Sequence, residues 1–177
     1  MQRYSAITPL PDRWTGLPFR FIVMNPSSYM YPDAKRPLDG QTFVVPDSTS
    51  CPGYNHYPKG LENLDTYARR VGAERILDNM MHRDVVILLG EKDTRVDDPY
   101  LDLGCAADMQ GAERLERGLN YISHMETFPQ YSHKKNFDTV PKLGHGGDLM
   151  INSPQARKWI FGNRTPGVSN PDSAQAQ

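Results

Sequence analysis

The sequence predicts an α/β fold, with about three parallel strands and flanking helices. Three observations predict it. Arg20-Phe21-Ile22-Val23-Met24 and Asp84-Val85-Val86-Ile87-Leu88-Leu89-Gly90 are apolar through their centres and rich in β-branched residues. Such runs suit strands covered on both faces, as in a parallel sheet. Between and after them, apolar residues recur at three- and four-residue steps, the helical period. Each strand then ends in turn-forming residues that carry a polar side chain.

The elements follow in order. Met1 to Ile7 reads as the back end of a helix without a cap, stopped by Thr8-Pro9-Leu10-Pro11, since proline cannot continue a helix. The strand from Arg20 to Met24 ends in Asn25-Pro26-Ser27-Ser28, which is turn chemistry. From Tyr29 to Gly60 there is no periodicity, yet Tyr29, Tyr31, Tyr54, Tyr57 and Tyr67 argue for an ordered, partly buried excursion, because disordered segments are poor in aromatics.

A helix is expected from about Leu61, with Leu61, Leu64, Ala68 and Val71 on one face and a break at Gly72. After the strand ending at Gly90 comes an acidic loop, Asp93 to Gly104, and then a helix from Ala106 to about Met125. Its expected buried face is Met109, Ala112, Leu115, Leu119 and Ile122. Asp138-Thr139-Val140-Pro141 reads as a short strand, which Pro141 places at a sheet edge. A last helix runs from about Asp148 to Phe161, interrupted near Ser153-Pro154. Residues 163–177 are Pro/Ser/Gln/Ala-rich and read as a frayed tail. Strands alternating with helices imply right-handed parallel crossovers.

Composition excludes several functions. A chain of 177 residues is one domain with a sizeable core. Net charge is -1, so nothing points to a nucleic-acid partner, and the one basic cluster, His133-Lys134-Lys135, reads as a solvated loop. No apolar run is long enough for a membrane span. No metal-ligand spacing or glycine-rich nucleotide fingerprint appears, so no cofactor is expected. Cys51 and Cys105 either pair, if the protein meets an oxidising compartment, or stand as separate thiols.

The chemistry gathers at the carboxyl ends of the strands, where ligands sit in open α/β sheets. Asp93 follows the second strand and His145 the third. An imidazole can accept a hydroxyl proton near neutrality, and glycines 144, 146 and 147 let its loop approach other backbone closely. A carboxylate beside it would fix its tautomer. Asp97, Asp98 and Asp102 are chemically equivalent competitors for that place. His56, His82 and His124 read as a pocket or packing residue, a solvent-facing residue and a helix-end cation. Ser27 and Ser28 follow a strand, but Tyr29-Met30-Tyr31-Pro32 does not open the helix that a nucleophile elbow needs.

Gly90-Glu91-Lys92-Asp93 after an apolar strand and Leu143-Gly144-His145 before a helix resemble the C-terminal half of an α/β-hydrolase, over almost all the chain to Gly162. The resemblance implies a partial α/β-hydrolase fold over residues 1–162, with a cap-like insertion at 29–81. It implies Asp93 as the acid and His145 as the base of an esterase-like enzyme that hydrolyses a small-molecule substrate in its full-length form. No G-x-S-x-G occurs in the 177 residues. The expectation is therefore a truncated form lacking its nucleophile, or else a binding or interaction protein that keeps half of the fold. Oligomeric state is left open.

Overall fold

The computed structural model describes residues 2–10, 19–131 and 136–162. The basic cluster at 133–135 and the tail at 163–177 lie outside the described residues. The elements are α1 (Gln2–Ile7), β1 (Arg20–Met24), β2 (Arg36–Pro37), β3 (Phe43–Val44), α2 (Thr66–Val71), α3 (Ala73–His82), β4 (Asp84–Gly90), α4 (Cys105–Asp108), α5 (Arg114–Glu126), β5 (Phe137–Val140), α6 (Gly147–Ile151) and α7 (Pro154–Phe161).

Three strands form one parallel sheet in the order β1-β4-β5, as expected, with β4 central and β5 at an edge. Met24 pairs with Leu88, and Gly90 with Val140. The three carboxyl ends are thereby aligned, so residues 25–28, 91–93 and 141–145 leave the sheet on one side.

Side chains alternate across β4, as a strand requires. Ile87 and Leu89 face a core with Tyr29, Tyr31, Ile76, Met81, Tyr121 and Met125. Val86 and Leu88 face a second core with Val140, Met150 and Ala156. Helices cover both faces, which explains the continuous apolar run of this strand.

The excursion after β1 is ordered. The Tyr29 ring stacks on Tyr121 with centroids 4.6 Å apart, and Tyr31 meets Tyr121 edge-on at 5.5 Å. Gln110 accepts from the Tyr29 N–H and donates to the Tyr29 carbonyl, both at 2.8 Å. Arg36 is buried over the Tyr31 ring, 4.4 Å from its centroid, and donates to Asn55 Oδ1 and the Lys59 carbonyl. Cys51 and Cys105 are joined in a disulfide, which ties the excursion to the start of α4. Tyr67, expected among the buried tyrosines, is exposed.

Three boundaries differ from expectation. The helix expected from Leu61 starts at Thr66, because Asp65 caps it by accepting from the Ala68 N–H. Leu61 and Leu64 still pack on the core from the preceding turn. The helix expected over 106–125 is two. Gly111, at φ 144°, turns the chain, and Glu113 caps α5 by accepting from the Leu115 and Glu116 N–H groups. The third strand stops at Val140, with Lys142 at φ 62° beyond it.

The buried face of α5 is as expected at Ile122, with Leu115 packed against the core, and differs elsewhere. Leu119 is exposed, while Arg114, Arg117, Gly118, Tyr121 and Met125 are buried. Gly118 lets the helix approach β4 closely: a Cβ there would stand 2.6 Å from Leu89 Cδ2 and 2.9 Å from the Tyr29 hydroxyl. Alanine favours a helix over glycine by about 1 kcal/mol, but overpacking a full core costs about 1–3 kcal/mol. Gly118→Ala is therefore expected to lower the unfolding free energy, by about 1 kcal/mol, in urea titrations followed by circular dichroism. An increase would mean that α5 and β4 have room to separate.

Candidate functional site

The strand ends build the site. At the end of β4, the Asp93 N–H donates to the Gly90 carbonyl at 3.0 Å, and the Asp93 carbonyl accepts from the Leu115 N–H at the start of α5. The turn beyond β5 is joined to the same place. The Glu91 N–H donates to the Val140 carbonyl at 3.0 Å, and the Lys92 N–H to the Leu143 carbonyl at 2.7 Å. Two turns some fifty residues apart in sequence are thus hydrogen-bonded through their backbones.

His145 Nδ1 lies 2.9 Å from Asp93 Oδ2. A carboxylate only accepts, so this contact calls for an N–H at Nδ1, and Nε2 is the ring nitrogen that Asp93 does not engage. The carboxylate is buried, whereas the imidazole is 41% exposed. The acid is held away from water while the ring edge stays accessible.

Each competing aspartate has another partner. Asp97 pairs with Arg95 on the exposed surface, Asp98 with Arg114, and Asp102 with Lys59. Arg114 is the residue whose part in the site the sequence reading missed. It is buried and donates to Asp93 Oδ1 at 3.3 Å and to Asp98 Oδ1 at 3.1 Å, so it braces the Asp93 carboxylate on the oxygen that His145 does not use. The signal available was a pair of arginines three apart, Arg114 and Arg117, on a helix that also packs Tyr121 and Met125.

A cleft of about 480 Å³ opens at this edge, lined by His145, Asn25, Ser27, Ser28, Lys59, Tyr100 and Asp102 among others. Asn25, at φ 43°, accepts from the Gly90 N–H at 2.7 Å and donates to the Gly144 carbonyl at 3.1 Å. Ser28 Oγ donates to Asp102 Oδ2 at 3.0 Å and accepts from Lys59 Nζ at 2.7 Å, and Lys59 and Asp102 are themselves paired. Ser27 Oγ accepts from the Asp102 N–H at 2.8 Å. The side-chain partner of His145 is Asp93, and neither serine hydroxyl is hydrogen-bonded to it.

A larger groove, about 710 Å³, lies between α1, α2 and α3 and pairs no acid with a base. His124, expected as a helix-end cation, is buried on α5 against Asp33 at 2.8 Å, between the Tyr31 and Phe43 rings. His56 and His82 are exposed. Among the described residues no group of three His, Cys, Asp or Glu could hold a metal ion, and no helix is long and apolar enough to cross a membrane.

This architecture, a three-stranded parallel sheet flanked by helices, is part of an α/β-hydrolase fold. Comparison with solved structures bears out the fold. The chain is similar to LpqC, a poly(3-hydroxybutyrate) depolymerase from Bordetella parapertussis, with a TM-score of 0.54 and 23% identity over 83% of this chain and 41% of that one. It is also similar to poly(aspartic acid) hydrolase-1 from Sphingomonas sp. KT-1, with a TM-score of 0.53 and 22% identity over 82% of this chain and 45% of that one. The chain spans less than half the length of either protein. No protein-family model matches the sequence, and no curated protein matches it significantly.

Two outcomes follow from the ion pairs. Removing one partner of a buried pair strands the other charge, at a cost of about 3–5 kcal/mol. Arg114→Met is expected to lose that much in urea unfolding, and a loss under about 1 kcal/mol would show that Asp93 does not need the brace.

For Asp102, burial raises the pKa, but the Lys59 bond and other donors outweigh it and hold the group below its usual value of 3.8. A lowered folded pKa gives stability that is present above the unfolded value and lost as pH falls through the folded one. Stability is therefore expected to drop below about pH 4, and Asp102→Asn to flatten part of that drop in unfolding curves measured at stepwise lower pH.

Proposed function

We propose that this chain carries the acid and base of a serine hydrolase, and that the full-length form hydrolyses esters of small molecules. Asp93 would orient the imidazole, and His145 would be the general base. The attacking serine would come from a part of the fold outside these 177 residues, and residues 29–81 would form a cap over the cleft. The observation that carries the reading is the His145 Nδ1–Asp93 Oδ2 hydrogen bond at 2.9 Å, with the acid buried and the ring edge open to the cleft.

In the proposed reaction, His145 Nε2 takes the serine proton as the oxygen attacks the ester carbonyl. The imidazolium, stabilised by Asp93, then gives that proton to the departing alkoxide. A water molecule repeats the sequence on the acyl-enzyme, releasing the carboxylic acid and restoring the serine.

A second reading is a binding protein that keeps half of the fold and uses the same cleft. What favours it is the absence of G-x-S-x-G, together with the engagement of both Ser27 and Ser28 by Asp102.

The test is the reading frame upstream of Met1. The hydrolase reading expects an in-frame G-x-S-x-G there, and a longer product that reacts with a fluorophosphonate probe and cleaves p-nitrophenyl butyrate. His145→Ala or Asp93→Asn should then lower kcat by roughly 10³–10⁴ or more. A stop codon upstream, with stable expression of these 177 residues, would favour the binding protein. Probe labelling of the 177-residue chain, lost on Ser27→Ala or Ser28→Ala, would overturn both the outside serine and the binding reading.

A further inference from the structure

We propose that Asn25 is the positioning residue of this site, acting as a two-ended spacer that sets His145 against Asp93. The proposal rests on the hydrolase reading above but makes a separate claim. Asn25 directly follows β1, and its own N–H continues the sheet pairing by donating to the Leu88 carbonyl at 3.0 Å. Its side chain is buried. One end of its amide accepts from the Gly90 N–H, and the other donates to the Gly144 carbonyl. Gly90 also receives the Asp93 N–H at its carbonyl, and Gly144 directly precedes His145. One planar amide therefore spans from the turn that carries the acid to the turn that carries the base.

Only a primary amide does this. The two contacts need an acceptor at one end and a donor at the other, which asparagine has at any pH and which ionised aspartate, leucine or serine lacks at the same reach. Asparagine also tolerates the left-handed backbone found here, φ 43°, better than most residues. The space beside the amide is closed. A Cβ on Gly90 would stand 2.5 Å from the Gly144 carbonyl oxygen and 2.6 Å from that of Leu143, so the two turns touch through backbone with no side chain between them. The ring itself is 41% exposed, so its place depends in part on the turn beneath.

Asn25→Asp separates positioning from simple loss of structure. The shape is kept and so is the acceptor for Gly90. Ionised, however, the new carboxylate sets oxygen against the Gly144 oxygen, which pushes the His145 turn away. Protonated, it regains a donor. Burial and the Gly144 carbonyl raise the new carboxyl's pKa, against the Gly90 N–H and the charged groups of the same cleft, Arg3, Lys59, Asp102, Arg114 and His145, and the donor is expected to return as pH falls from about 7 to about 5.

The readout is NMR on the 177-residue chain: the downfield imidazole N–H proton of His145, assigned by its loss in His145→Gln, and its exchange rate with water. The wild type should show this proton, and Asp93→Asn should remove its protection. Asn25→Asp should exchange about tenfold faster at neutral pH, the equivalent of about 1.4 kcal/mol, and recover toward the wild-type rate near pH 5. Asn25→Ala should exchange faster at both. The amide protons of Val86 and Leu88, at the centre of the sheet, should keep wild-type protection. If Asn25→Asp and Asn25→Ala exchange at the wild-type rate, the spacer is refuted while the Asp93–His145 pair stands. Faster exchange in Asn25→Asp that does not recover in acid, or that is shared by Val86 and Leu88, reduces Asn25 to a structural residue. Absence of the proton in the wild type overturns both the spacer and the hydrolase reading.

Discussion

The parallel register of β1, β4 and β5 is the constraint on which the site depends. Parallel strands send their carboxyl ends to the same edge, so residues 25, 93 and 145 meet although long stretches of chain separate them. A one-residue slip of β5 would turn Val140 from the core to the opposite face. The register is protected against this from both sides of β4. Val86 and Leu88 pack with Val140, Met150 and Ala156, while Ile87 and Leu89 pack with the tyrosine cluster. Apolar burial at about 25 cal/mol per Å² gives those contacts the dominant share of stability, and the backbone bonds between the 90–93 and 140–143 turns then fix the direction in which the chain leaves the sheet.

Around that apolar centre lies an unusual amount of buried charge. Arg36, Arg114 and Arg117 are all buried. Arg117 donates to the carbonyls of Ser27, Asp102 and Gly111 and pairs with Asp108, so a single guanidinium joins the β1 turn, the acidic loop and the α5 entrance. Arg36 does the same inside the excursion, bonded to Asn55 and the Lys59 carbonyl. These are the places where loop backbone goes below the surface, and its carbonyls need donors there. Arginine meets that need because five N–H groups radiate from one plane.

Much of this was legible in the sequence, for reasons tied to particular residues. The run from Val85 to Leu89 could only be a covered strand, and Pro141 placed its partner at the edge. The glycines around His145 marked a tight loop. The α/β-hydrolase fold followed from those turns. The helix over 106–125 was misread because Met109, Ala112 and Leu115 keep a helical period straight through a break made by Gly111. The buried face of α5 was legible at Leu115 and Ile122 but not at its first turn, where the anchors are arginines, and apolar periodicity does not count a guanidinium whose charge is matched by loop carbonyls and aspartates. Arg114 as the brace of Asp93 was hidden for the same cause, since its contacts depend on where two distant turns meet. The choice of Asp93 over Asp98 or Asp102 needed tertiary contacts too, because all three sit in one acidic loop.

The crosslink between Cys51 and Cys105 joins segments 54 residues apart. Closing a ring of that size removes freedom from the unfolded chain equivalent to about 4 kcal/mol at 25 °C in the loop-entropy model. It also fastens the segment that bears Lys59 to the one that follows Asp102, two residues that line the same cleft. In an oxidising medium the two segments stay neighbours even when the polar contacts between them open. In a reducing one, the link between these two segments passes to the Lys59–Asp102–Ser28 contacts and to the guanidinium groups that hold the neighbouring carbonyls.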